Sequence, residues 1–143
     1  MLALRMGILH KSAASLGFYG DDLDPAEITD RLGGVPSLGV SKGATWLTAS
    51  GAEKIAYTGS WRLKVNREEP ENLDYQINRL LDGLSDDLSA WRSFAKRYRG
   101  RIFCGLFMES GNEGLTLQPE TLVRVGERGL VIDLDIYGQD LPD

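Results

Sequence analysis

Side chains that carry chemistry are scarce in this chain: 143 residues contain one cysteine, Cys104, and one histidine, His10. A single thiol excludes a disulfide within the chain, and one Cys with one His falls short of the about four ligands that a structural zinc site takes. Long apolar runs are missing too, since none approaches the roughly 20 residues of a membrane-spanning helix. The N-terminal stretch Met6 to Leu9 is bounded by Arg5 and by His10-Lys11. It is shorter than the about 7 to 15 continuous apolar residues of a secretory core, so no signal peptide is expected. Basic charge is outnumbered, with 16 Lys+Arg against 21 Asp+Glu and a net charge of −5. That balance disfavours charge-driven binding of the whole surface to nucleic acid or to an anionic membrane. What remains is ordinary globular material, 42% hydrophobic and 26% charged. It is enough for one core, so a single cytoplasmic domain over 1–143 is expected, with its core at about 13–137 and loose termini at 1–12 and 138–143.

Hydrophobic patterning places the elements. Ala13 to Tyr19 alternates, with Ala14, Leu16 and Phe18 on one face and Ser15, Gly17 and Tyr19 on the other, and reads as a strand. Asp24-Pro25-Ala26-Glu27 opens a helix: Asp24 can accept from free backbone amides, and proline suits the first helical position. Gly33-Gly34 stops that helix near Leu32, and Val35-Pro36 sends the chain on extended. Ser37 to Leu47 supplies one or two short strands, and Lys54 to Val65 reads as one long strand. In it Ile55, Tyr57, Trp61, Leu63 and Val65 share the core parity, and Gly59 marks a bend or a close backbone approach.

Two helices follow, with stripes Leu73, Ile77, Leu80, Leu81, Leu84 and then Leu88, Trp91, Ala95, Tyr98. Arg101 to Met108 is apolar on both parities and should be a central strand. A last helix opens at Pro119 and ends near Gly129, before a strand in which Leu130, Ile132, Leu134 and Ile136 are expected to point inward and Asp133 and Asp135 outward. The first and last thirds share one rhythm, Leu23-Asp24-Pro25 answering Leu117-Gln118-Pro119. The expected fold is α+β: a mainly antiparallel sheet with helices packed on one face, built around two weakly related β-α-β halves.

Few residues converge on chemistry. His10 has no carboxylate or thiol near it in sequence, and Cys104 sits in the most apolar strand, where a thiol is buried and inert. Gly33-Gly34 and Ser41-Lys42-Gly43-Ala44-Thr45 lack the spacing of a phosphate loop, and no cofactor motif or metal-ligand set is present. Three groups stay as candidates. Lys42, Tyr57, Trp61 and Arg62 combine aromatic walls with charge, as a small-molecule site beside the sheet requires. Asp133 and Asp135 share one strand face, where they can meet a basic partner. Arg92, Lys96, Arg97 and Arg99 form a basic cluster at a helix end, suited to a partner or to weak RNA binding and equally to offsetting the helix dipole.

The order and spacing of Leu23-Asp24-Pro25, Glu27-Ile28-Thr29, Leu32-Gly33, Pro36, Lys42-Gly43, Thr58-Gly59, Trp61 and Asp133-Leu134-Asp135-Ile136-Tyr137 resemble the bacterial family known as domain of unknown function 4279, over about Ala13 to Tyr137. Gly34 lengthens the step from Leu-Gly to Pro. The resemblance implies no activity and no catalytic residue; it makes the matched positions caps, a glycine bend, a core tryptophan and a strand. The leading expectation is therefore a non-enzymatic binding module, for which one version is an immunity protein masking a basic toxin by charge. A small-molecule or enzymatic site is the alternative.

Overall fold

The computed structural model describes residues 7–139. Among the described residues nine strands and four helices follow one another along the chain: β1 Gly7–Ile8, β2 Lys11–Gly20, α1 Pro25–Leu32, β3 Leu38–Val40, β4 Thr45–Leu47, β5 Glu53–Ile55, β6 Gly59–Lys64, α2 Leu73–Asp82, α3 Leu88–Arg97, β7 Arg101–Phe107, β8 Glu113–Gly114, α4 Pro119–Glu127 and β9 Val131–Tyr137. The principal sheet has five strands in the order β3-β6-β2-β7-β9. Its pairs are antiparallel except β7 with β9. Two small ladders flank it, parallel β1–β8 and the β4–β5 hairpin. This is an α+β fold in one compact unit.

Both β-α-β halves are visible in the topology. The unit β7-α4-β9 joins parallel neighbours. Strands β2 and β3 each run antiparallel to β6, so they are parallel to one another with β6 between them. The helix ends follow their local chemistry. Asp24 accepts from the Ala26 amide at 3.1 Å, Asp87 from Ser89 and Ala90, and Gly33 closes α1 in the left-handed region at φ 84°.

The helices pack on the sheet face carrying Leu16, Phe18, Trp61, Ile102 and Cys104, all fully buried with Trp91, Phe94 and the α2 leucines. Phe18 lies at the centre, with ring centroids 6.1 Å from Trp61 and 6.2 Å from both Trp91 and Phe94. Burying a phenylalanine of this kind contributes about 1.5–3 kcal/mol. Each buried indole N–H has an acceptor: Trp61 donates to Thr29 Oγ1 at 3.0 Å and Trp91 to the Ser85 carbonyl at 2.6 Å. Ser12 and Gln76 form a buried polar knot, the Gln76 amide donating to the Ser12 and Asn66 carbonyls at 3.0 and 2.8 Å. It anchors α2 to the start of β2.

Four expectations need correction. Residues 7–12, expected to be loose, hold β1 and the first turn of the ladder between β2 and β7; 1–6 and 140–143 lie outside the described residues. The long strand is two. Its backbone leaves the ladder after Ile55, β5 pairs with β4, and β6 starts at Gly59. Ile55 and Tyr57 consequently lie outside the core, 71% and 87% exposed, while Ala56 is buried. Leu134 and Ile136 do share the helix-side face with Cys104 and Leu106 by register. They are nevertheless 55% and 59% exposed, because β9 is an edge strand and the helix layer does not extend over its far end.

Candidate functional site

The sheet's second face, which carries no helix among the described residues, holds the functional candidates. Register places on it Ser60, Arg62 and Lys64 of β6, Tyr19, Gly17 and Lys11 of β2, Arg101, Phe103 and Phe107 of β7, and Asp133 and Asp135 of β9. Two crevices open here, of about 520 and 400 Å³, and they share Tyr19, Tyr57 and Thr58. The larger runs between the end of α3 and the starts of β7 and β9, past Arg99, Arg101 and Asp133. The smaller lies under the β4–β5 hairpin, lined by Trp46, Lys54, Ser60 and Arg62.

The charges in these crevices differ in kind. Arg101 is paired: it donates to Asp133 through Nη1 at 3.0 Å, its Nε meets no acceptor, and its guanidinium lies 5.2 Å from the Tyr19 ring and 5.0 Å from the Phe103 ring. Burial works against its charge, yet the hydrogen bonds to Asp133 and Tyr19 outweigh it and hold the guanidinium above its ordinary pKa. Arg62 shares the shielded, acceptor-free Nε of Arg101 and Arg128 but lacks their ion pairs. No carboxylate among the described residues comes within 4.0 Å of it, whereas Arg97, Arg101 and Arg124 each have one. Asp133 is the one carboxylate that lines either crevice.

The structure separates the sequence candidates. Tyr57 and Arg62 meet in the smaller crevice. Trp61 points to the opposite face and is wholly buried against the helices, so it does not belong to this site. Lys42 pairs with Asp21 at 3.2 Å outside the crevice lining. Asp133 is bound by Arg101, and Asp135 accepts from the Tyr137 hydroxyl at 2.6 Å, which holds that phenol above its ordinary pKa. Within the basic cluster, Arg92 donates to the Glu127 carbonyl at 2.7 Å, Arg97 grips Glu27 through two nitrogens at 2.6 and 3.2 Å, Lys96 is exposed on α3, and Arg99 lines the larger crevice. The cluster is thus divided among four surroundings.

Tyr19, Trp46, Thr58 and Arg101 are site residues that pattern reading left out. For Tyr19 the signal was available in its parity with Ser15 and Gly17, opposite the core set. Away from the crevices, His10 stands between Glu69 and Glu109, 3.4 and 3.1 Å from their carboxylates, partners 59 and 99 positions away along the chain. Cys104 lies at the centre of the core, and burial pushes its thiol up to about 12. No group of three or more His, Cys, Asp and Glu side chains among the described residues is arranged to hold a metal ion. No helix among them is long and apolar enough to cross a membrane.

Fold and site together define an α+β protein with one sheet face sealed by helices and the other left open, carrying aromatic and cationic crevices. The chain belongs to the family described as Domain of unknown function (DUF4279), whose model matches residues 10–139. No curated protein and no solved structure matches it.

Proposed function

We propose that this protein is a non-enzymatic binding module whose ligand is an anion bearing a flat ring, held in the crevice under the β4–β5 hairpin. The observation that carries the reading is Arg62, which among the described arginines with a shielded, acceptor-free Nε is the one without an ion pair. A shielded guanidinium N–H without an acceptor costs about 1–3 kcal/mol relative to the same group satisfied. A phosphate or carboxylate oxygen entering the crevice supplies that acceptor, and the guanidinium fork suits such an ion. Tyr57, Trp46 and Tyr19 supply ring faces beside it. The crevices hold no histidine or cysteine, and their one carboxylate is already bound by Arg101, which favours binding over catalysis.

The masking of a basic toxin, one form of interaction module, draws less support. Asp21, Glu27, Asp82, Asp86 and Asp133 are engaged in ion pairs, and Asp24 and Asp87 in helix caps. A bacterial cytoplasm is the setting we assign, consistent with a reduced, buried Cys104.

Thermal unfolding in the presence of inorganic phosphate, citrate, AMP and UMP tests the reading. At least one ring-bearing anion should raise Tm in a concentration-dependent way, and Arg62→Gln should remove that rise while keeping the ligand-free Tm within a few degrees. Equal shifts in the wild type and Arg62→Gln would refute it, as would no shift from any of the four.

A further inference from the structure

We infer that the Arg62 crevice is one end of a longer track, and that the ligand class is single-stranded nucleic acid laid across the open face of the sheet. The inference rests on the anion reading of that crevice and extends it along β2 and β6.

The first argument is the placement of charge. On β3, β6 and β2 no open-face position carries a carboxylate. The same three strands present Lys11, Arg62 and Lys64 on that face, with Arg67 just beyond β6. None of these four cations has a carboxylate within 4.0 Å among the described residues, while Arg31, Lys42, Arg124 and Arg128 elsewhere are all paired. In a chain of net charge −5, these four give the β2–β6 side of the face a positive strip; Lys54 and Arg99, also without a carboxylate within 4.0 Å, line the two crevices, and the carboxylates of the face, Asp133 and Asp135, stand apart on the β9 edge.

The second argument is the interleaving of rings with those cations. Phe107 stacks on Tyr137 with centroids 4.9 Å apart and planes 6° from parallel. The Arg67 guanidinium and the Lys11 ammonium lie 5.0 and 5.8 Å from the Phe107 ring. Tyr19 folds back over Gly17, where a Cβ would stand 2.5 Å from the phenol oxygen, and Phe107 lies against Gly105, 3.4 Å from where its Cβ would be. The glycines leave room for rings to rest on the sheet. A groove of positive charge with aromatic side chains along it is the arrangement that takes unpaired bases, since every base has a face to stack.

The third argument is size. From Lys11 to Tyr19, both on this face, eight residue steps span about 27 Å, and single-strand sites start at about four nucleotides. A duplex hides its base faces inside the stack, so the rings favour a single strand.

Fluorescence anisotropy with 5′-labelled rU12 and dT12 at 50 and 200 mM KCl tests the track, with UMP, a 12-base-pair duplex and low-molecular-weight heparin as comparisons. We expect the 12-mers to bind at least tenfold more tightly than UMP and the duplex. Lys11→Gln/Arg67→Gln should weaken them about tenfold and lower the salt slope by about 1.4, at roughly 0.7 per phosphate contact. Phe107→Leu, which keeps an apolar side chain and removes the ring, should weaken them about fivefold or more. Circular dichroism melts identify any variant that fails to fold, and the exposed Lys64→Gln stands in for such a variant, with a loss of threefold or more expected. The track is refuted if rU12 and dT12 bind no better than UMP, or if folded variants of Lys11, Lys64 and Arg67 bind as the wild type does. It is equally refuted if the duplex binds as tightly, or if heparin does while Phe107→Leu has no effect. A UMP-induced rise in Tm that depends on Arg62 would survive each of these results, so failure of the track and failure of the crevice reading are distinguishable.

Discussion

Replacing Gly59 by alanine puts one methyl group where the backbone leaves no room. A Cβ built at this position stands 2.7 Å from the Gly20 carbonyl oxygen, 2.9 Å from the Leu23 carbonyl oxygen and 2.9 Å from Leu23 Cβ. Contacts under 3.0 Å to carbon are not tolerated, and here no flexible side-chain end can swing away. The Gly20 oxygen is fixed on two sides, by the last rung of the β2–β6 ladder at Gly20↔Gly59 and by the turn in which the Leu23 amide donates to it at 3.2 Å. Relief requires β6 to part from β2 at that rung. Overpacking typically costs about 1–3 kcal/mol, and strain borne by the main chain belongs at the upper end, about 3 kcal/mol. For a chain of this length that corresponds to a fall in Tm of about 10 °C. Gly126→Ala is the matched control. Gly126 lies in α4, where an added methyl group would meet no atom within 4 Å, so alanine should stabilise the protein by about 0.5–1 kcal/mol through helix propensity. Urea denaturation followed by circular dichroism measures both. A Gly59→Ala variant within 0.5 kcal/mol of the wild type would refute the close-approach argument, and so would finding Gly126→Ala the more damaging of the two.

Cys104 should resist alkylation by iodoacetamide at pH 8 in the native protein and react readily in 6 M guanidinium, because burial holds its thiol at about 12. Its folded pKa is raised above that of an exposed thiol, about 8.5, so its contribution to stability is intact below pH 8.5 and is lost as pH climbs toward 12. Cys104→Ala should flatten that alkaline limb, and a native-state reaction as fast as the denatured one would count against the assignment. Glu27 behaves in the opposite sense. Its hydrogen bonds from Arg97 hold the carboxyl below its ordinary range, so the stabilisation is present at neutral pH and disappears on acidification. The Tm gap between wild type and Glu27→Gln, measurable at pH 7, should close as pH falls below about 4; a gap independent of pH would show that the pair contributes through something other than charge.

Much of the fold could be read from the chain because its signals are local. Asp24 with Pro25, Asp87 and Gly33 declare their helix ends through hydrogen bonds to residues two to four positions away. Alternation also grouped the faces correctly on β2, and on β9 it placed Ile132, Leu134 and Ile136 on the helix side. What alternation does not carry is coverage. Whether a face is buried depends on how far four helices of 8–10 residues reach across five strands, and they stop short of the edge. The break at Ala56 was hidden for a related reason, because Ile55 and Tyr57 keep the phase of Trp61 while the chain between them leaves the ladder. The candidate site was harder still. Arg62 and Tyr57 are near neighbours in sequence, but Tyr19 and Arg101 reach them only through strand order, and net charge concealed how unevenly the cations are distributed.

The placement of β2 has a consequence for how the molecule is made. The strand that occupies the middle of the sheet is synthesised early, and its two neighbours come later: β6 some 45 residues on, and β7, which pairs Phe107 with Lys11, more than 90 positions away. At about 5–20 residues per second, Leu16 and Phe18 wait on the order of ten seconds outside the ribosome before the second ladder can close over them. Until then the nascent chain presents an apolar strand with two open edges, and the earliest partner available to it is β6, already carrying Trp61. The order of synthesis thus favours a β2–β6 hairpin capped by α1 as the first structured unit, with the C-terminal β-α-β half docking onto an edge that has been waiting for it.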